Sequence, residues 1–256
     1  MNGYLEDVEK NLAVGNLEEA EIAVNRASLL LNDVKDNIPL VIRYKTVYAN
    51  FLNRRGKFME AAQRYYELSL KAISSPADKR NALQNALTCT LLAPPSVQQI
   101  RLLTILFKDE RCEHLLGHSI LRDMYLERLI KYSDLSIIEN SLAPHQKVID
   151  ADGFSILQRS VMEQNMRAVS RLFANITFDG LGDLLGISAG TAEKIATKMI
   201  STDRLKGSID QLERVVFFES HNRMAEWDSN IVSICELVNS ILELITTKHP
   251  ELALNN

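Results

Sequence analysis

Apolar and polar residues recur with a helical period along almost the whole chain, and the one departure from that period lies between Asn175 and Phe218. Leu181, Leu184 and Leu185 form one apolar helical face, which Gly186-Ile187-Ser188 ends with turn chemistry. Ala192, Ile195, Ala196, Met199 and Ile200 then fall at i, i+3, i+4, i+7 and i+8, a single stripe for a second helix with Ser188 as its N-cap. After Asp203 the pattern turns extended: Leu205 to Ile209 and Val215 to Phe218 are β-prone runs joined by a polar link. A short helix from Met166 to Phe173, with Val169, Leu172 and Phe173 inward, precedes them. Helix, helix, turn, helix, hairpin is the order of a winged helix.

The preceding residues read as helices in pairs. Tyr4 to Val14 and Leu17 to Leu31 flank a Gly15-Asn16 turn, and Gly15-Asn-Leu-Glu-Glu-Ala20 is echoed by Gly56-Lys-Phe-Met-Glu-Ala61, a period of 56 − 15 = 41. Paired helices at such a period mark an α-solenoid, in which each hairpin covers its apolar face against its neighbours. Tyr44, Val47, Tyr48 and Phe51 before the second echo, and Tyr65 and Tyr66 after it, are expected to pack in the core. Further helices are predicted over Ala77–Leu92, Val97–Phe107, Glu113–Lys131 and Asp134–Leu142. Pro144 to Gly153, with His145, Gln146, Lys147 and Asp152, is a polar interruption read as an inserted loop, after which Ser155 to Glu163 restarts a helix. At the other end, Met224, Trp227, Ile231, Ile234, Val238, Ile241 and Ile245 are spaced by alternating threes and fours, a heptad seam that His249-Pro250 stops. A helix from Asn222 to Lys248 would be about 40 Å long, so part of its seam is expected to project and pair with other chains, the alternative being a helix folded back on its own solenoid. The predicted fold is mainly α: a TPR-like or HEAT-like solenoid over 1–143, an inserted loop over 144–153, a winged helix over 154–221 and a C-terminal bundle helix over 222–256.

Charge and cysteine content narrow the function. A winged helix serves as a nucleic-acid reader or as a protein-docking module. The outward positions of its second helix, Thr191, Glu193, Lys194, Thr197 and Lys198, hold only two cations, and the 256-residue chain has net charge −4. Both favour docking over phosphate contact, although Lys194, Lys198 and Lys206 would have to form one basic surface for nucleic acid to bind. No apolar run is long enough to span a membrane and no signal peptide is evident, so a soluble intracellular protein is expected. Cys89, Cys112 and Cys235 are expected to be free thiols, and the sequon Asn175-Ile-Thr177 to be incidental, with Thr177 capping a helix. Gly180-Leu-Gly182-Asp-Leu-Leu-Gly186 has one residue too many for a dinucleotide loop and no preceding strand. Cys112, His114 and His118 could share one helix face as metal ligands, but no acid lies between the histidines and no fourth ligand is evident, so no metal or cofactor is expected. No catalytic constellation is present in the pattern.

Solenoid followed by winged helix is the layout of the PCI domain, named for the proteasome lid, the signalosome and translation initiation factor three. Glu60-Ala-Ala-Gln-Arg-Tyr-Tyr-Glu-Leu68, Thr104-Ile-Leu-Phe-Lys-Asp-Glu-Arg-Cys112, Pro144-His-Gln-Lys147, Ala151-Asp-Gly153, Asn175-Ile-Thr-Phe178 and Ala192-Glu-Lys-Ile-Ala196 resemble the subunit-four family of the COP-nine signalosome more than its paralogue in the proteasome lid. The resemblance implies a non-catalytic scaffold, cytoplasmic and nuclear, in the complex that removes a ubiquitin-like modifier from cullins. It implies that Leu205, Ile209, Val215 and Phe217 lie near contacts with neighbouring PCI subunits through their sheets. It also implies that Trp227, Ile231, Ile234, Val238, Ile241 and Ile245 enter a helical bundle shared with further subunits, including the metallo-isopeptidase pair. The family's substrate-sensing loop corresponds to Pro144 to Gly153. Family members carry a longer helical N-terminal region, so the distal arm expected to reach a cullin and its RING partner lies outside this sequence.

Overall fold

The computed structural model describes residues 1–31, 37–71, 75–150, 153–219 and 223–248. Two compact units result, Met1–Phe218 and Glu219–Asn256. The first opens with helices α1 (Asn2–Val14), α2 (Leu17–Leu29), α3 (Ile38–Arg54), α4 (Phe58–Ser69), α5 (Pro76–Leu92) and α6 (Val97–Lys108). The 41-residue echo has a physical basis. Gly15 ends α1 at φ 91° and Gly56 follows α3 at φ 81°, both left-handed, where a side chain would be strained. The next residue in each case donates back into the helix, Asn16 N to Asn11 O at 2.9 Å and Lys57 N to Leu52 O at 3.0 Å. Long-range ties join the repeats: Arg54 Nη1 donates to Leu12 O at 2.6 Å, Arg43 pairs with Glu9 at 3.1 Å, and Arg55 pairs with Glu21. The ion pairs are half-exposed and contribute little, whereas the carbonyl contact gives Leu12 O, which also accepts from Gly15 N at 3.3 Å, a second donor at the end of α1.

The predicted helix Glu113–Lys131 is shorter in the structure. A 3-10 turn at Glu110–Cys112 leads to Gly117, and α7 covers only His118–Tyr125. Gly117 is left-handed at φ 94°, and a Cβ there would lie 2.8 Å from Ile138 Cδ1, so the break is enforced by close packing. Glu127, at φ 53°, ends α7 and accepts ion pairs from Arg167 and Arg171. Helix α8 (Tyr132–Ser141) completes the solenoid.

The second departure concerns α9 (Ile156–Leu172), one continuous helix where two had been expected. Ser155 begins it with a capping box, its Oγ accepting from Gln158 N while Gln158 Oε1 accepts from Ser155 N. Leu157 and Val161 belong to the solenoid core, while Met162, Met166 and Val169 belong to the core of the winged module. The expected boundary at 154 therefore precedes a helix that both halves share, and no linker separates them. Because α9 is enclosed on all sides from Ser160 to Met166, four of its polar residues are buried, and each makes at least one hydrogen bond. Ser160 Oγ donates to Ala93 O at 2.9 Å and Gln164 Nε2 to Met124 O at 3.2 Å. Asn165 accepts from Ile130 N at 2.9 Å and donates to Ile130 O at 2.8 Å. Glu163 Oε2 accepts from Arg204 Nη1 at 2.5 Å. Leu172 and Phe173, expected inward, are exposed because the helix ends as it leaves the core.

The winged module follows as β1 (Asn175–Thr177), α10 (Phe178–Leu185), α11 (Ala189–Ser201), β2 (Gly207–Asp210) and β3 (Val215–Phe218), and α12 (Arg223–Lys248) lies in the second unit. Strand β1 had not been expected. The sheet is antiparallel with order β1-β3-β2, and Ile176 and Ile209 both face Val216. Among the described residues no helix is long and apolar enough to cross a membrane.

Candidate functional site

Three features could carry function: the winged module, the connector at 144–153, and α12. In the winged module, local chemistry sets the angle between α10 and α11. Thr177 Oγ1 caps α10 by accepting from Gly180 N at 3.2 Å, Gly186 ends it left-handed at φ 66°, and Ser188 Oγ caps α11 by accepting from Thr191 N at 3.2 Å. A Cβ on Gly182 would lie 2.8 Å from Ile187 O, so the turn closes against a glycine. The apolar stripe of α11 is placed as its spacing predicts, with Ala192, Ile195, Ala196 and Met199 buried.

Parity along the sheet decides which residues a neighbour could touch. Val216 and Phe218 are buried, so Val215 and Phe217 face out, beside Asn175, Thr177 and Ser208. Two of the four expected contact residues are therefore displaced. Leu205 precedes β2, its N–H bonds to Met199 O, and at 6% exposure it belongs to the core. Ile209 shares the inward face of Val216 and packs on the same cluster. Gly207 admits this register: a Cβ there would lie 2.3 Å from Phe217 O. Phe217 is 43% exposed, and with Ile209, Leu212 and Thr197 it lines a shallow depression at the β2 side.

Basic surface on α11 is thin. Lys194 and Lys198 border a cavity of 100 Å³ together with Thr191, Phe154 and Arg159, and Arg159 is paired with Asp150 at 2.9 Å. That leaves two lysines, far from the stripe of cations that phosphate contact requires.

The connector differs from an inserted loop. Pro144–Gln146 forms a 3-10 turn whose Gln146 is buried, with Oε1 accepting from Ala143 N and Nε2 donating to Asn53 Oδ1 at 3.0 Å. His145 is half-buried, and burial together with the Arg54 guanidinium lowers its pKa from the ordinary value. The chain then bridges from Ile149 to Ser155, and Gly153 is left-handed at φ 84°. Pro144, Lys147, Val148, Ile149, Asp150 and Gly153 are exposed. Asp152 lies outside the described residues.

Helix α12 presents its seam openly: Trp227, at 70% exposure, and Ile231, Ile234, Val238 and Ile241 are all exposed. Ile245 has no described side chain. Flanking the seam, Val232, Leu237, Leu242 and Leu244 are exposed and apolar too. In a two-stranded coil the flanking positions carry charge, so this broader face suits packing among several helices.

The cysteine and histidine cluster is dispersed. Cys112 is buried in the 3-10 turn, His118 stacks on Phe107 at 6.3 Å between ring centroids, and among the described residues no group of three His, Cys, Asp or Glu side chains could hold a metal. Burial pushes the thiols of Cys89 and Cys112 up to about 12, whereas Cys235 on α12 is exposed. Titration with a disulfide reagent at pH 8 is therefore expected to label one thiol per chain rapidly and the other two only in denaturant. Rapid labelling of all three would contradict the burial of α5 and the 3-10 turn.

The PCI domain family model matches residues 113–220, which run from the turn before α7 to just past β3. Residues 113–220 are thus similar to a PCI domain. Over nearly its whole length the chain is also similar to COP9 signalosome complex subunit 4: it is 46% identical to that protein of Drosophila melanogaster over 97% of this chain and 61% of the relative. Identity is 41% to that of Caenorhabditis elegans, over 94% and 58%, and 39% to that of Arabidopsis thaliana, over 96% and 62%. The chain spans about three fifths of the length of these relatives.

Proposed function

We propose that the chain is a non-catalytic scaffold subunit of the signalosome, the assembly that removes the ubiquitin-like modifier from cullins and so regulates cullin-RING ubiquitin ligases, in cytoplasm and nucleus. The observation that carries this reading is the similarity of 39–46% to subunit 4 of that complex in distant organisms, across both the solenoid and the winged module. The surfaces agree with it. The outer sheet face with Val215 and Phe217 is suited to side-by-side association with another winged helix, whose own strands would meet the free edges of β1 and β2. The broad apolar face of α12 is suited to a bundle with helices of further subunits, the metallo-isopeptidase pair among them. Pro144, Lys147, Val148 and Ile149 are exposed on the connector and suited to touch a partner or sense substrate.

A tagged pull-down of this chain from its own cells, read by mass spectrometry, tests the reading. Recovery of the cullin-modifier isopeptidase with its PCI partners is expected. Recovery of proteasome lid subunits instead would assign the chain to the paralogous complex, and recovery of neither would refute membership in both.

A further inference from the structure

The solenoid contains a second surface that neither the sheet nor α12 accounts for. Its inner face is a groove whose two adjoining parts, of 420 and 510 Å³, share Glu9, Leu12, Asn50, Tyr65 and Asn85. Its two long walls repeat one pattern. On α3, Thr46, Asn50 and Asn53 fall at i, i+4 and i+7; on α5, Asn81, Asn85 and Thr88 do the same, and all six line the groove. Exposed helix faces ordinarily carry Lys and Glu, so two facing stripes of carboxamides and hydroxyls are a chemical choice. A carboxamide donates and accepts at once, which matches the alternating N–H and C=O of an extended backbone. A seven-residue stripe runs about 10 Å, the reach of roughly three residues of extended peptide.

The groove is pre-set rather than collapsed. Tyr65 Oη donates to Asn50 Oδ1 at 2.5 Å, orienting that amide and leaving its Nδ2 without a partner among the described residues. Gln84 is fixed by Leu116 from both sides, its Nε2 donating to Leu116 O at 3.0 Å and its Oε1 accepting from Leu116 N at 3.1 Å. At one end of the groove the Arg54 guanidinium has no carboxylate partner among the described residues. Glu9, which lines both parts, is already paired with Arg43 at 3.1 Å.

We propose that this groove binds an extended peptide through the Asn50, Asn81 and Asn85 carboxamides, with a carboxylate of the peptide at Arg54. The proposal does not depend on membership of the signalosome. Random dodecapeptides displayed on phage are to be selected against the 256-residue chain, and the recovered sequences synthesised with a fluorescein label for anisotropy. Selected peptides are expected to share an Asp or Glu, and N81A/N85A is expected to weaken binding at least tenfold. R54Q, which removes the guanidinium charge, is expected to erase the advantage of each acidic peptide over its Asn or Gln counterpart, with its thermal unfolding read alongside because the bond to Leu12 O is also lost. Asn81 and Asn85 are exposed, so unchanged thermal unfolding of N81A/N85A is the control for folding. On the unsubstituted chain, the side-chain amide resonances of Asn50 and Asn85 are expected to shift on peptide addition, a readout that needs no variant. Recovery of no peptide, binding within twofold of the original in N81A/N85A, or peptides without acidic preference would each overturn the proposal.

Discussion

Replacing Ile234 and Ile241 together by aspartate is expected to abolish incorporation of the chain into the proposed signalosome assembly while leaving the folding of residues 1–219 unchanged. Both side chains are exposed on α12, and α12 belongs to a compact unit of its own. Asp and Ile differ little in intrinsic helix propensity, so α12 itself should persist. In a bundle each isoleucine would contribute about 1.5–3 kcal/mol by burial, and each aspartate would have to be desolvated without a partner. The combined loss is on the order of 6 kcal/mol or more, about ten-thousandfold in association. Co-expression with the partner subunits followed by gel filtration reads the result. Co-elution of the double variant at the unsubstituted ratio would show that the α12 face is not an assembly surface, and the winged-helix sheet would then have to hold the chain alone.

The largest effect on stability is expected at Asn165. Its side chain answers both the N–H and the C=O of Ile130, at 2.9 and 2.8 Å, in a region where both residues are buried. Alanine would orphan two backbone groups, at about 1–3 kcal/mol each, and leave a small cavity besides. A loss of about 3–5 kcal/mol is expected, which for a unit of this size lowers Tm by roughly 10 °C. Aspartate should do no better: one oxygen still accepts from Ile130 N, but the other is set against Ile130 O and its charge is buried. Calorimetry on Asn165→Ala and Asn165→Asp checks this, and a loss under about 1 kcal/mol for either would mean that water or a shifted backbone replaces the clamp.

Those two sites mark how far the sequence alone could be read. Wherever a face is half-buried the periodicity is informative: the stripe of α11, its Ser188 cap and the strand Val215–Phe218 lie where their spacing placed them. The reading fails where an element is enclosed on every side. From Ser160 to Met166 every residue of α9 is buried, including Glu163, Gln164 and Asn165. Their polarity reads as solvent exposure until the partners are known, and those partners, Arg204, Met124 O and Ile130, lie 35 to 41 residues away. Nothing local announces such pairs. The same limit explains Leu205, whose hydrophobicity fitted a strand but which is drawn into the core by a bond to Met199 O at the end of α11. The break at Gly117 was hidden because the atoms that require it, on Ile138, Leu87 and Leu91, belong to other helices. At the candidate interface, sequence supplied α12 and Phe217 but could not settle parity for Ile209, because a strand slipped by one residue shows the opposite face.

The shared helix α9 has one more implication, for how this architecture can change in length. Because successive residues of a helix are rotated by about 100°, inserting or deleting a single residue between Val161 and Met166 would swing the sheet and α11 about a quarter turn around the solenoid. The exposed Phe217 would then be aimed in a different direction, with both cores still well packed on their own. Solenoids tolerate added or lost hairpins at their ends, but α9 acts as a keyed shaft between the repeats and the sheet, and its residue count sets the heading of the docking face.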